Sequence, residues 1–221
     1  MVRSAGVVVE TLLNSRLGIK LRKAWSWLAA GYQPDPEKII WIDPADVCRK
    51  VRESRAFPGP LLIGSVRDGD WDIDAYPLDD NVKVEAVRLR FIEGVPWEAT
   101  PLFARYEEQL RRQGTAYRGY RSLGDIAGYY TSHFDPLFEE IRTHGFDPQK
   151  GTLQLHIGRH GELMGAYDGN HRLAMAKVLG IRQAPARVWV RHPGWVKLMH
   201  KLKQHPDRAA NGWDHPDLQT L

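Results

Sequence analysis

The stretch with the clearest chemical character is YDGNHRLAMAKVLG, Tyr167 to Gly180. Asp168-Gly169 is a turn dipeptide, and Asn170 offers a side-chain oxygen that can cap a helix. The apolar run behind it stops at Gly180, a position suited to a left-handed helix end. His171 and Arg172 then fall in the first helical turn. That end of a helix carries unpaired N–H groups and a partial positive charge, so each cation there costs about 0.3–1 kcal/mol. A bound anion reverses the sign. Free amides, a glycine that permits close approach and a guanidinium able to hold two oxygens together make a phosphate cradle. In the alternative arrangement Arg172 pairs with a neighbouring carboxylate and His171 is simply exposed.

A second set of groups lies in SVRDGDWDID, where Asp68, Asp70, Asp72 and Asp74 occupy every other position. On an extended segment these carboxylates share one side and repel one another unless a cation intervenes. Asp70 and Asp72 are therefore candidate Mg²⁺ ligands, and Asp68, Asp70 and Glu98 (in PWEATP) are candidate catalytic carboxylates for a phosphoryl transfer. The run is not an EF-hand loop, since it lacks the sixth-position Gly and the distant Glu. A solvated acidic turn is the plainer reading. Glu162 is a hairpin residue and a weaker base. All nine histidines lie at or beyond His133, yet none has a zinc-type spacing. His192, in RHPGW, follows a strand and could approach a ligand.

The elements that must position these groups follow from periodicity and punctuation. KIIWID reads as a short strand ended by Pro44, PADVCRKVRE as a helix, and LLIGSV as a second strand. Residues 82–114 read as two helical pieces broken near EGVPW. A longer helix covers DIAGYYTSHFDPLFEEIRTHG, with a bend allowed at Pro136. LQLHI and ELMGAY form a hairpin, and ARVWVRH is the last strand.

The totals bound the class. The chain has 221 residues, 43% hydrophobic and 26% charged, the composition of one globular domain. A single cysteine, Cys48, leaves no internal disulfide and points to a reducing, cytoplasmic setting. No apolar run reaches the roughly 20 residues of a membrane span, and the N-terminus does not read as a signal peptide. Arg3, Arg16, Lys20, Arg22 and Lys23 stand against Glu10, which holds the surplus of the +4 net charge in residues 1–30. The remainder is balanced, which argues against a nucleic-acid-coated surface. Val8, Leu12, Leu17, Leu21, Trp25 and Leu28 are helically spaced in the same segment. They serve either a helix packed on its own domain or a peripheral membrane contact.

The order of helix LFEEIRTHG, strand pair, DGNHR turn, apolar helix, LGI and strand ARVWV resembles the ParB/sulfiredoxin-like superfamily. The likeness covers about Pro136 to Arg191, and KIIWIDPADV is similar to the family's opening strand and helix. It implies an α+β fold with a ParB-like core in residues 38–48 and 134–192, an N-terminal helical segment in 1–30, a mostly helical insertion in 49–133 and a tail in 193–221, all within a single domain. It further implies that Asp168, Gly169, Asn170, His171 and Arg172 hold a nucleotide, ATP or another, through its phosphates. The turn has no cysteine, so sulfinic-acid reduction is not expected. Too little chain follows the last strand for the DNA-reading helices of partitioning proteins. The Asn-His-Arg variant is similar to relatives that act as small-molecule kinases, such as the free-serine kinases. The resemblance thus implies an ATP- and Mg²⁺-dependent transfer to a small-molecule acceptor. The alternative is a nucleotide- or DNA-associated binding module without turnover.

Overall fold

The computed structural model describes residues 15, 18, 35–57, 61–78, 82–205 and 214–219. The amphipathic segment expected in residues 1–30 lies outside the described residues, apart from Ser15 and Gly18. The fold is α+β. Seven short strands form one mixed sheet: β1 (Ile39–Ile42), β2 (Arg49–Lys50), β3 (Ser65–Val66), β4 (Tyr76–Pro77), β5 (Leu153–Ile157), β6 (Leu163–Gly165) and β7 (Ala184–Arg191). Their order is β1-β7-β5-β6-β2-β4, with β3 also on β7. β5 runs parallel to β7 and antiparallel to β6, while β2 joins β6 in parallel. β7 is buried along nearly its whole length, as a central strand must be.

Helices cover the sheet. The helices α1 (Glu53–Ala56), α2 (Val82–Ile92), α3 (Pro101–Gln113), α4 (Leu123–His144) and α5 (Asn170–Val178) precede β7, and α6 (Pro193–Lys203) follows it. α4 buries Ile126, Tyr130, Phe134, Phe138 and Ile141 at three- and four-residue spacing, the stripe of a core-facing helix. Ser122 caps it by accepting from the Asp125 amide at 3.0 Å, and Pro136 sits inside it without ending it. These residues pack with Trp97, Phe103 and Tyr106 and with Ala174 and Met175 of α5 into an aromatic-rich core. A second core joins the sheet to Trp195, Met199 and Leu202 of α6. No helix among the described residues is long and apolar enough to cross a membrane.

Three elements differ from the sequence reading. PADVCRKVRE is not a helix. Asp43 caps only a 3-10 turn, Pro44–Asp46, and the chain then leaves helical geometry at Val47. Sheet pairing takes over: β2 lies between β6 and β4, and the Leu78 amide donates to the Cys48 carbonyl at 2.7 Å. Residues 49–133 are thus not separate from the core, because they supply β2, β3 and β4. Nor do residues 193–219 form a mere tail. α6 is a core helix, and Asp217 of the 3-10 turn Pro216–Leu218 is tied to Arg191 of β7.

Candidate functional site

The turn between β6 and α5 has the expected frame. Gly169 adopts φ 78° and precedes the first helical residue, and a Cβ on it would stand 3.2 Å from the Gln154 amide nitrogen of β5. Only glycine fits both the backbone and the space. At the other end, Gly180 has φ 64°, its amide donates to Lys177, and the Ile181 amide donates to the Ala176 carbonyl at 3.0 Å. This is a Schellman ending, as the sequence implies.

The N-terminal residues do not do what their spacing suggests. Asn170 is not the cap; it is the first helical residue, buried, and its side-chain amide donates back to the Tyr167 carbonyl. No side chain therefore accepts from the first amides of α5. His171 is neither exposed nor cationic. Its Nε2 lies 2.8 Å from the Tyr130 hydroxyl, which is 2.7 Å from the Tyr106 hydroxyl. Its ring stacks on Phe134 at 4.1 Å and meets Tyr117 edge-on. Burial, and then the charges of Lys83, His133 and Lys50, push its pKa well below the usual histidine range. A neutral imidazole has no quarrel with the helix dipole. Arg172 turns away from the first amides. Its Nη2 donates to the Lys150 carbonyl at 2.9 Å, and its guanidinium packs on Gly151.

Two other cations lie within charge range of His171 and Asp168. Lys50, from β2, and Lys83, near the start of α2, are both half-buried. Burial lowers both pKa values, Lys83 to about 8, where the proximity of Lys50 adds to the effect and Asp168 opposes it. Glu53 and Asp168 restrain the shift of Lys50 in the same way. Lys50, Lys83, Asp168 and the first turn of α5 therefore share one small region. Glu53 braces it from α1: one carboxylate oxygen accepts from the Tyr167 amide at 2.6 Å and from Nε2 of the fully buried His156 at 2.8 Å. On the helical side, burial raises the phenols of Tyr130, Tyr117 and Tyr106, the last to about 12, so all three are neutral hydroxyls.

The acidic run belongs to a different arrangement. Residues 70–74 form a turn and not an extended segment, with the amides of Ile73 and Asp74 both donating to the Asp70 carbonyl. Asp72 is buried and grips Arg159: one oxygen accepts from Nε and from the Arg159 amide, each at 2.8 Å, and the other from Nη2 at 2.7 Å. Asp70 accepts from the same guanidinium at 2.9 Å. Burial alone would raise the Asp72 carboxyl, but its bonds to Arg159 overcome that and hold it at about 2. The Asp70–Asp72 pair does not fit Mg²⁺, because the cation it carries is Arg159. Among the described residues no cluster of three or more acidic, His or Cys side chains could hold a metal. Asp68 lies 3.5 Å from Nε2 of His192. His192 itself caps α6, accepting at Nδ1 from the Gly194 amide, so Nε2 is the nitrogen that donates to the Gly69 carbonyl. Among the described residues no hydrogen bond or ion pair joins Asp68–Asp74 to residues 168–172. Glu98 is exposed on the 3-10 turn Trp97–Ala99, whose Trp97 packs edge-on against Tyr130 at 4.9 Å. Glu162 accepts from the His160 amide and closes the β5–β6 hairpin.

Sequence reasoning missed Lys50, Lys83, Glu53, Tyr106, Tyr117 and Tyr130. Lysines in ordinary surroundings carry no local signature. The tyrosines gave one weak signal, their density between Tyr106 and Tyr130. No family model matches the chain, and no curated protein and no solved structure matches it either.

Proposed function

We propose that the protein binds a nucleotide, or a closely related phosphate-bearing small molecule, at the DGNHR turn. The observation that carries this is the convergence of Lys50 and Lys83 on the uncapped first turn of α5. Lys50 disfavours the ammonium form of Lys83 even with Asp168 close by, and a bound anion would oppose that effect. Helix amides and a glycine that permits close approach complete the cradle. This reading also draws on the resemblance of the sequence to the ParB/sulfiredoxin-like superfamily. Lys50 and Lys83 would hold the phosphates, with Arg172 buttressing the loop before β5 and His171 positioned by the tyrosines.

The reaction that goes with this reading is transfer of a phosphoryl group from ATP to a small-molecule acceptor. Among this chain's residues, Asp168 is the carboxylate beside the cradle, and it replaces Asp68, Asp70 and Glu98 as the acidic group to test. Calorimetric titration of the chain with ATP, ADP, CTP and GTP, each with and without Mg²⁺, tests the binding. We expect at least one nucleotide to bind. Lys83→Ala should weaken it about tenfold or more, the scale of a hydrogen bond to a charged group. If no nucleotide binds, or if Lys83→Ala and Lys50→Ala both bind as wild type does, the reading is wrong.

A further inference from the structure

Tyr167 stands at the rim of the cradle and is 76% exposed, more than any other large apolar or aromatic residue among those described. Such exposure is usual on a loose loop, but this backbone is held at both of its polar groups. Its N–H donates to the Glu53 carboxylate at 2.6 Å, and its carbonyl accepts from the buried Asn170 side chain. Lys50 sits 5.8 Å from the centre of its ring. Two buried or half-buried polar side chains thus fix the position of a ring that is presented almost bare to solvent. Inside the chain the ring meets the Lys50 ammonium, and most of its surface stays open. A planar ligand group can lie on that open face.

We propose that Tyr167 is the stacking platform for the ring of the ligand, a nucleobase, whose phosphates lie in the cradle beside it. The inference rests on the reading of that cradle as a phosphate site. It goes further in assigning a residue that separates nucleotides from simple polyphosphates. Stacking uses the π-face that every base has, so the platform favours nucleotides as a class and not one base. Lys50 serves both halves, lying against the ring of Tyr167 and within the charge field of Asp168.

The test is calorimetric titration of the full chain with two probes, ATP and inorganic tripolyphosphate, using wild type, Tyr167→Ala, Tyr167→Phe and Lys83→Ala. We expect Tyr167→Ala to weaken ATP about fivefold or more while leaving tripolyphosphate within about twofold. Tyr167→Phe keeps the ring and should bind both as wild type does. Lys83→Ala should weaken both probes together. Equal behaviour of Tyr167→Ala and wild type toward ATP overturns the platform, and so does an equal loss for both probes. If wild type binds neither probe, the cradle fails first and the platform with it. If wild type binds tripolyphosphate as tightly as ATP, the cradle stands and the platform alone is overturned.

Discussion

At the scale of single residues, the DGNHR turn shows how the same letters can be read correctly for shape and wrongly for charge. Gly169 and Gly180 do what their backbone requires. His171 and Arg172 do not, because side-chain direction and burial decide protonation, and neither is written in spacing. The cations that do approach the turn titrate in an unusual range, and this gives a prediction with two signs. Lys83 has its pKa lowered to about 8, chiefly by burial. Between that value and the ordinary 10.5, the unfolded chain holds a proton that the folded chain has released. The contribution of Lys83 to folding stability is therefore unfavourable below pH 8 and is relieved as the pH rises toward 10.5. Binding an anion runs the other way, since it favours the ammonium form. Nucleotide affinity should fall as pH rises through 8, earlier than an ordinary lysine would cause, and binding at pH 8 should take up protons. Titrations in buffers of different ionisation enthalpy measure the uptake directly. Lys83→Arg, which stays charged, should abolish both effects.

At the scale of elements, strands and helices with strong periodicity were legible and short ones were not. α4 carries its apolar stripe from Ile126 to Ile141, and β7 is a long run, apolar except for Arg187 and Arg191. β2 has only two residues and no pattern of its own; it exists because β6 and β4 flank it. Lys50 reaches the site only through that pairing, so its role had no local trace. Arg172 belongs to this scale too. Its bond to the Lys150 carbonyl and its packing on Gly151 tie the start of α5 to the loop before β5. We expect Arg172→Ala to cost about 1.5–3 kcal/mol of stability, the value of a hydrogen bond to a charged group. Chemical denaturation measures that cost, and titration of the folded variant should find nucleotide affinity little changed. Gly169→Ala is a sharper test of the turn. The new Cβ would press on the Gln154 amide with the backbone at φ 78°, where side chains are strained. A loss of about 1–3 kcal/mol is expected. No loss at all would show that the turn can adopt another conformation.

At the scale of the whole molecule, the far end of the chain returns to lock the sheet that carries the site. Arg191 closes β7 and is 1% exposed, and Asp217 is 2% exposed. The two share a paired contact, Nε to one carboxylate oxygen at 2.8 Å and Nη2 to the other at 2.6 Å. Trp195 of α6 donates to the same carboxylate at 2.9 Å, and Lys38, just before β1, donates to the Asp217 carbonyl at 2.8 Å. One residue thus fastens β1, β7 and α6 together. Burial alone would raise the Asp217 carboxyl, but Arg191, Trp195 and Lys38 together hold it at about 2, below its ordinary 3.8. A depressed carboxylate stabilises the fold fully above the unfolded value and loses that contribution as the pH falls toward the folded one. Acid unfolding should therefore steepen between about pH 4 and pH 2, with Asp217 and Asp72 as the groups responsible. Asp217→Ala leaves Arg191 buried without its counter-charge and should cost about 3–5 kcal/mol. The variant should also show a flatter stability profile across the same pH interval, because one of the two depressed carboxylates is gone. Denaturant midpoints measured at several pH values between 2 and 7 give both quantities. A large, pH-independent loss would mean that the cost lies in packing around Trp195 and not in the ion pair. A negligible loss would show that residues 214–219 do not hold the sheet.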